Sequence, residues 1–320
     1  MRVLIVKISS MGDVVHALPL VSDIARVFPR ARIDWVVEEG FADIPRLHPA
    51  VTRVLPIALR RWRRHPFSPR SWRQLLEARR ALRKTRYHTV LDCQGLIKSA
   101  IIAWSARGPV TGFALGAVRE PAAALLYRRR VSVDSRLHAV DRLRNLGAGA
   151  LGYALDAPAQ FCLRLPQSEP VPETGPFALL LANASRASKL WPANHWLRLE
   201  RELAQRGLAS LLAWGSPEEY ELSELRAAQM RAARVLPKSS ITQIAVLASR
   251  ASVVVGLDTG LTHLAAAIGA PTVGIFCDYD TTLVGLRGGD RTVSLGGVAQ
   301  VPSVEQVCAA IERIGAMCPR

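Results

Sequence analysis

Short apolar runs alternate with amphipathic helical patterns along this chain, and the alternation occurs in two successive series. The first series has the strand-like runs RVLIVKI, RIDWVVE and HTVLDCQ, and the second has FALLLA, LASLLAW, ASVVVGL and PTVGIF. Regular β–α–β alternation predicts parallel sheets covered by helices on both faces. We therefore expect an α/β fold made of two doubly wound domains that face each other across a cleft.

The two series are separated by the segment RLPQSEPVPETGP, which is rich in proline, glutamate and glycine. Such composition is typical of a linker between domains. We predict one domain over residues 1–168 and a second over residues 169–320. A final helix, roughly Ser303 to Gly315, could pack on either half.

Composition restricts where the chain is expected to work. Its apolar runs are all far shorter than the ~20 residues of a membrane span, and the N-terminal apolar stretch carries Arg2 and Lys7 without a cleavage site. The five cysteines are scattered and form no C-x-x-C pair. This pattern favours a reducing compartment over a disulfide framework or a zinc site. We expect a cytoplasmic protein.

The chain is strongly basic, with a formal net charge of +16 at pH 7. Eleven Arg or Lys residues and one acid, Glu77, lie between Leu59 and His88, where Trp62 and Trp72 are interleaved with them. A solvated basic face would explain such a run, and so would a nucleic-acid partner. Aromatic side chains among cations favour a membrane interface, and the sequence contains no recognised nucleic-acid-binding module.

The first strand ends in the turn SSMGD, which precedes a helical pattern resuming at Val14. Ligands of doubly wound sheets bind at the carboxyl ends of the strands, so this turn is a candidate site. Asp13 could cap the helix or present its carboxylate to the cleft. The turn lacks both G-x-G-x-x-G and G-x-x-x-x-G-K-[ST], which argues against a nicotinamide-dependent oxidoreductase or a P-loop enzyme.

Two later strand-to-helix turns have the composition of an anion site. In GLDTGLTHLAAA, the bend at Asp258–Gly260 precedes a helix expected from Leu261, whose free N–H groups suit a diphosphate. In NASRASKLWPANHW, hydroxyl groups surround Lys189, which could pair with phosphate or be a surface lysine. The D-x-D triplet Asp278–Asp280 matches a metal motif only weakly, and we expect a loop with two solvated acids and no metal site.

Five segments, read in order, resemble a known family: KISSMGDVVHALP, RRWR, LDCQGLIKSA, SKLWPANHW and GLDTGLTHLAAA. They resemble the lipopolysaccharide heptosyltransferases of glycosyltransferase family nine, and within it the members that add the first heptose of the inner core. The resemblance runs from Met1 to about Gly274. It implies a GT-B fold, in which the first Rossmann-like domain binds the acceptor and the second binds the nucleotide-sugar donor.

The resemblance also implies the reaction, which is inverting transfer of L-glycero-D-manno-heptose from ADP-heptose to a Kdo residue of Kdo-lipid A. ADP-heptose is then a co-substrate, and no cofactor is expected. The implied partners are the amphiphilic acceptor and the anionic inner face of the cytoplasmic membrane, with the enzyme peripherally associated and no nucleic acid bound. A related enzyme acting on a later core acceptor is the alternative within the family.

Site residues follow from the resemblance position by position. Asp13 is implied as the catalytic base, and Lys189 is implied to neutralise the donor phosphates. The implied donor-binding residues are Ser185, Lys189, Glu219, Asp258, Thr259, Gly260 and His263. The implied acceptor-binding residues are Ser10, Gly12, Arg60, Arg61, Arg63, Lys98 and Arg119. Ala184 and Ser239 depart from the family pattern, the first at a position where a second hydroxyl is often found and the second where a larger apolar residue can contact adenine.

Overall fold

The computed structural model describes residues 1–65, 67–167 and 175–315. The chain divides into two compact units, Met1–Arg164 and Leu165–Arg320. The boundary predicted between residues 168 and 169 lies outside the described residues. Within the described ranges, no helix has both the length and the apolarity needed to cross a membrane.

A six-stranded sheet, entirely parallel, forms the centre of the first unit in the order β3-β2-β1-β4-β5-β6. Its strands are β1 (Arg2–Val6), β2 (Arg32–Glu38), β3 (Val51–Ile57), β4 (Thr89–Asp92), β5 (Val110–Phe113) and β6 (Arg129–Val131). Its helices are α1 (Met11–His16), α2 (Leu18–Val27), α3 (Asp43–Arg46), α4 (Leu59–Arg64), α5 (Pro69–Arg83), α6 (Ile97–Ser105) and α7 (Ala139–Leu151).

The second unit repeats this plan, with the sheet order β12-β11-β10-β7-β8-β9 and every pairing parallel. Its strands are β7 (Phe177–Leu181), β8 (Ala209–Leu212), β9 (Ala233–Val235), β10 (Val253–Leu257), β11 (Thr272–Phe276) and β12 (Thr292–Gly296). Its helices are α8 (Ala193–Gln205), α9 (Pro217–Ala227), α10 (Ile241–Arg250), α11 (Gly260–Ala267), α12 (Thr281–Val284) and α13 (Val304–Arg313).

Burial explains why the central strands are nearly continuous apolar runs. β1, β7 and β10 are each covered by helices on both faces, and almost all of their side chains are buried. The final helix, α13, packs on α8, β11 and β12 of the second unit. It buries Val304, Val307 and Ile311 in the core on that face of the sheet. The predicted α/β class with two parallel sheets is confirmed.

The strand orders locate the switch point of each sheet. In the first unit the chain builds outward from β1 and then returns to place β4 on the other side of β1. In the second unit β7 and β10 have the same relationship. At such a point the loops that follow the two neighbouring strands diverge and leave a crevice at the carboxyl edge of the sheet. All three turns singled out in the sequence lie at these two edges.

Candidate functional site

Asp13 lies in the first turn of α1, as the third residue of that helix. The helix begins at Met11, three residues earlier than Val14, and its N-cap is Ser10. Asp13 is therefore not the cap; its Oδ2 instead accepts hydrogen bonds from the backbone N of Ser10 at 3.0 Å and from Ser10 Oγ at 2.8 Å. Gly12 precedes it in the same turn. The carboxylate is fixed by its own loop and remains 24% exposed.

A buried lysine holds the other oxygen of Asp13. Lys7, which follows β1, donates from Nζ to Asp13 Oδ1 at 3.2 Å and to the carbonyl oxygen of Cys93 at 3.2 Å. Burial alone would raise the pKa of Asp13. The opposing charges of Lys7 and Arg119, together with the hydrogen bonds from Ser10, outweigh burial and hold this pKa well below its usual range. Asp13 is therefore a carboxylate throughout the physiological pH range.

Gln94, after β4, supports the same loop from the neighbouring strand. Its buried Oε1 accepts hydrogen bonds from the backbone N of Ile8 and of Ser9, both at 3.1 Å. Asp92 fixes the turn that carries Gln94, because its Oδ1 accepts from the backbone N of Gln94 at 2.9 Å and of Gly95 at 3.2 Å. Gln94 thus positions the segment that presents Asp13.

Gln94 lies in the segment LDCQGLIKSA, but its role was not predicted. The available signal was a polar side chain directly after a buried strand. That signal is not specific, because it does not indicate which neighbouring loop the side chain reaches.

Several cations lie at the carboxyl edge near Asp13. Lys98, the second residue of α6, and Arg119, in the loop after β5, are both exposed. Arg142 on α7 was not predicted; its Nη2 donates to the carbonyl oxygen of Ala117 at 2.8 Å. Burial, and then repulsion from Arg119, lowers the pKa of Arg142, while attraction to Asp13 acts in the opposite direction. Arg119, Arg142 and Asp13 therefore share one electrostatic environment.

The three predicted arginines of α4 form a separate group at the same edge. Arg60 donates its backbone N to Glu38 Oε1 at 3.2 Å and stacks its guanidinium over the Phe41 ring at 5.1 Å. Arg61 pairs with Glu39 Oε1 at 3.1 Å. Arg63 is exposed and has no ion pair or side-chain hydrogen bond with any residue in the described part of the chain. Of the three predicted arginines, Arg63 thus has a guanidinium group that is free to meet an external anion.

In the second unit, Lys189, Asp258 and His263 form a connected group at the β7/β10 switch point. Lys189 Nζ donates to Asp258 Oδ2 at 2.6 Å and to the Asp258 carbonyl oxygen at 3.0 Å. His263 Nε2 lies 3.2 Å from Asp258 Oδ1. Burial would raise the pKa of Asp258, but hydrogen bonds from His263 and Lys189, and the charges of both partners, lower it overall. The predicted donor-loop residues are therefore brought together around one carboxylate.

The start of α11 leaves backbone donors available. The helix begins at Gly260, one residue earlier than expected, and its N-cap Thr259 makes no side-chain capping hydrogen bond. Gly256 on β10 permits the close approach of this helix, because a Cβ at that position would lie 2.3 Å from Thr262 Oγ1. Thr262 Oγ1 in turn donates to the Leu257 carbonyl oxygen at 2.6 Å. The N-terminus of α11 is thereby held in place, with free backbone N–H groups of the kind that suit an anion.

The remaining predicted donor residues lie at the same edge of the second sheet. Ser185 is exposed in the loop after β7. Glu219 is the third residue of α9, and its Oε2 accepts from the backbone N of Gly215 at 2.6 Å. Lys238 lies 4.5 Å above the ring of Trp214 next to this turn. This group offers a carboxylate beside an aromatic surface.

The triplet Asp278–Asp280 lies beside Lys189. Ser188 Oγ donates to Asp278 Oδ2 at 2.7 Å, and Lys189 Nζ lies 4.8 Å from the centroid of the Tyr279 ring. Asp280 caps α12 by accepting from the backbone N of Thr282 at 2.8 Å. Among the residues that the structure describes, no three or more His, Cys, Asp or Glu side chains are grouped so that they could hold a metal ion. Tyr279 is a neighbour of Lys189 that was not predicted.

Residues 75–311 match the sequence model of glycosyltransferase family 9, described as heptosyltransferase. The chain belongs to glycosyltransferase family 9. It is 41% identical to lipopolysaccharide heptosyltransferase 1 of Escherichia coli strain K12 over 301 residues, which cover 92% of this chain and 93% of that protein. It is 38% identical to lipopolysaccharide heptosyltransferase 1 of Pseudomonas aeruginosa PAO1 over 313 residues, covering 96% and 87% respectively.

Solved structures resemble this family 9 enzyme over nearly its whole length. The E. coli heptosyltransferase WaaC with ADP superimposes with a TM-score of 0.90 at 37% identity, covering 98% of this chain and 100% of that one. The same enzyme with ADP-2-deoxy-2-fluoro heptose gives a TM-score of 0.84, with 98% of each chain covered. The predicted family, GT-B fold class and glycosyltransferase activity are confirmed, and the roles of individual site residues stay predictions.

Proposed function

We propose that this enzyme transfers L-glycero-D-manno-heptose from ADP-heptose to a Kdo residue of Kdo-lipid A, with inversion at the anomeric carbon. The observation that carries the proposal is the likeness, over 98% of both chains, to a heptosyltransferase structure that holds an ADP-heptose analogue. Relatives named lipopolysaccharide heptosyltransferase 1 support the inner-core assignment. The proposed partners are ADP-heptose, the lipid acceptor and the anionic inner face of the cytoplasmic membrane, where the enzyme is peripherally associated.

Stabilisation of the departing ADP is the task we assign to the second unit. Negative charge grows on the diphosphate as the bond to the sugar breaks, and fixed positive charge and N–H donors lower the energy of that state. An ammonium group has three protons, and Lys189 gives two of them to Asp258. The third proton and the N-terminal amides of α11 are the donors we assign to the phosphate oxygens.

Asp258 then acts as a positioning residue for the donor. Its two oxygens hold Lys189 on one side and His263 on the other, so neither side chain must be ordered when the donor binds. Glu219, held at Gly215, is the acid we assign to the ribose hydroxyls. These assignments place the nucleotide along the carboxyl edge of the second sheet.

Proton removal from the acceptor hydroxyl is the task we assign to Asp13. A carboxylate with a low pKa is a weak base toward an alcohol. In this displacement, however, the hydroxyl proton becomes strongly acidic as its oxygen bonds to the anomeric carbon. A permanently ionised carboxylate is therefore a strong enough base to accept that proton. Lys7, Ser10 and Gln94 keep the group ionised and oriented.

The basic groups of the first unit suit the charge of the acceptor. Kdo-lipid A carries carboxylate and phosphate groups, and guanidinium groups pair with both in a bidentate manner. Arg119 and Arg142 lie in the electrostatic environment of Asp13. Lys98 and the exposed arginines of α4 extend the positive surface along the same edge. We propose that these groups bind the acceptor anions.

A transfer assay with two acceptors tests the proposal. Purified enzyme is incubated with ADP-heptose and either Kdo-lipid A or the same lipid already carrying one heptose. The masses of the products are measured by mass spectrometry. We expect one heptose to be added to Kdo-lipid A and none to the heptosylated lipid, with the anomeric configuration reversed in the product by NMR. Transfer to the heptosylated lipid alone would assign the enzyme to a later step.

A further inference from the structure

A broad groove lies at the amino edge of the first sheet, opposite the edge that carries Asp13. Its volume is about 1070 Å³. The residues that line it directly precede β4, β5 and β6 or end the neighbouring helical segments. We call it the amino-edge groove, and its lining residues are Arg86, Tyr87, His88, Trp104, Arg107, Gly108, Pro109, Val110, Leu125, Leu126, Tyr127 and Arg128.

The charge of the amino-edge groove is entirely positive. Arg86, Arg107 and Arg128 are exposed, and none of their guanidinium groups has an ion pair or a side-chain hydrogen bond to any described residue. No acidic side chain is among the lining residues. The backbone holds these segments together, since Tyr87 N donates to the Arg107 carbonyl oxygen at 2.7 Å and Arg128 N donates to the Val110 carbonyl oxygen at 2.9 Å. The groove therefore presents three uncompensated cations on segments that backbone hydrogen bonds hold together.

Large apolar side chains stand exposed at the same place. Trp104 is 66% exposed and Leu125 is 74% exposed, although both line the groove. On α6, Ile97, Ile101 and Trp104 are spaced by four and three residues, so they share one helix face, and all three are exposed. Leu125 belongs to the 3-10 turn Pro121–Leu126, which packs on α6. An apolar stripe thus runs along α6 to the basic groove.

We propose that the amino-edge groove binds the headgroup of an anionic phospholipid in a bilayer, while Trp104 and Leu125 insert between the lipids. The three arginines supply charge complementarity to the phosphate, and the apolar stripe supplies a surface that lipid can cover. This binding does not depend on the identity of the donor or of the acceptor sugar.

Lipid is favoured over nucleic acid because of the aliphatic groups. Protein–DNA interfaces are polar and strongly positive, and single-stranded nucleic acid stacks on aromatic faces. Neither partner would cover exposed Ile101 and Leu125 beside the arginines. A bilayer interface covers aliphatic and indole groups alike while its anionic headgroups meet the cations.

The groove also sets an orientation that suits the proposed acceptor. α6 begins at the carboxyl edge, next to Lys98, and Ile97 lies about 10 Å along the helix axis from Trp104. A membrane that covers this face would therefore bring the acceptor-side end of α6 to the same lipid surface. The inference thus deepens the membrane association of the proposed function by naming the surface that makes it, and the orientation of the acceptor rests on that proposed function.

Vesicle co-sedimentation at physiological salt tests the charge requirement. The vesicles are phosphatidylcholine alone or phosphatidylcholine with about a third phosphatidylglycerol. The groove variant is the triple substitution Arg86→Gln, Arg107→Gln and Arg128→Gln. The matched control removes the same charge from exposed arginines of the second unit through Arg250→Gln, Arg291→Gln and Arg313→Gln. Circular dichroism checks that both variants fold.

We expect the full chain to bind the anionic vesicles much more tightly than the neutral ones. The groove variant should lose about a hundredfold in affinity, as expected for three basic residues at an anionic surface, and the control should lose less than about threefold. Equal losses in the two variants, or equal binding of the unsubstituted chain to both vesicle types, would overturn the proposal. A short DNA duplex that binds the groove and displaces the vesicles would also overturn it.

Quenching of tryptophan fluorescence by brominated lipid tests the insertion of Trp104. Trp104→Phe should remove most of the quenching. Trp72→Phe, at another exposed indole on α5, should leave it largely unchanged. The reverse pattern would show that the protein docks through α5 and would contradict the proposed site. Because neither measurement uses ADP-heptose, a failure here is distinguishable from a failure of the proposed reaction.

Discussion

Lys189 Nζ lies 2.6 Å from Asp258 Oδ2 and 3.0 Å from the carbonyl oxygen of the same residue. The two residues come from loops that follow neighbouring strands, β7 and β10, at the switch point of the second sheet. The pair therefore ties together the two loops that the proposed donor site needs. It also fixes the direction in which the remaining proton of Lys189 points.

Replacing Lys189 should affect both activity and stability. For Lys189→Met we expect kcat/KM for ADP-heptose to fall by about 10²- to 10³-fold, because a fixed charge opposite the leaving diphosphate is lost. We also expect a loss of about 2 kcal/mol in the free energy of unfolding, since the buried Asp258 carboxylate loses a charged donor. Steady-state kinetics and thermal melting check both effects. Lys84→Met, at an exposed lysine of the first unit, is the control. Nearly normal kcat/KM in Lys189→Met would show that Lys189 does not stabilise the leaving diphosphate.

Acid should remove the stability that Asp13 supplies. The folded-state pKa of Asp13 lies below its unfolded value of about 3.9, so the contribution is complete above that value and is lost as the pH falls through the folded pKa. We expect unsubstituted protein to melt higher than Asp13→Asn at pH 7, by the equivalent of about 1 kcal/mol or more. The two melting temperatures should converge as the pH falls below about 4. A difference that stays constant down to the lowest pH would mean that the ion pair with Lys7 does not lower this pKa.

Gln94 should control the position of the Asp13 carboxylate, because it holds the loop that carries Asp13. Gln94→Ala leaves the buried backbone N–H of Ile8 and the partly buried backbone N–H of Ser9 without their acceptor. We expect kcat to fall about 10- to 100-fold, because small displacements of a catalytic group cost that much, while the KM for ADP-heptose stays within about twofold.

Gln94→Glu keeps an acceptor oxygen at the same place and is the matched variant. It should retain more activity than Gln94→Ala. If the two variants lose kcat equally, the hydrogen bonds to Ile8 and Ser9 are not what positions Asp13.

Arg63 is an informative arginine of α4, because its side chain has no ion pair or hydrogen bond with a described residue, whereas Arg61 pairs with Glu39. For Arg63→Glu we expect the KM for Kdo-lipid A to rise roughly tenfold or more at low salt. Reversing a charge near an anionic lipid loses about twice the binding free energy that removing the charge would lose. The KM for ADP-heptose should not change. Arg250→Glu in the second unit is the control, and a rise in the donor KM for Arg63→Glu would place α4 on the donor side.

The alternation of apolar runs was enough to predict the sheet class, because β1, β4, β7 and β10 are buried on both faces and read as continuous apolar segments. The strand order, and with it the switch point of each sheet, was not predicted. The short buried strand β5 and the outer strands were missed. β3 carries Arg53 and Pro56 and is only half buried, and β6 contains two exposed arginines. At the edge of a sheet, burial no longer imposes an apolar pattern, so the sequence carries no signal.

The candidate site was predictable where its residues lie in strand-to-helix turns. Asp13, Lys189 and the segment Asp258–His263 could be found because each turn follows a buried strand. Gln94 and Arg142 could not be assigned, since their roles depend on which loops the fold brings together. The ion pair between Lys189 and Asp258 was equally invisible, because 68 residues of chain separate its two members.

The most direct measurement is single-turnover transfer of heptose from ADP-heptose to Kdo-lipid A by the unsubstituted enzyme and by Asp13→Ala, with the ADP-heptose dissociation constant measured on both proteins. We predict rapid transfer by the unsubstituted enzyme, a loss of about 10³-fold or more in the variant, and donor dissociation constants within about threefold of each other. Transfer by Asp13→Ala at the normal rate, or no transfer by the unsubstituted enzyme, would contradict the account.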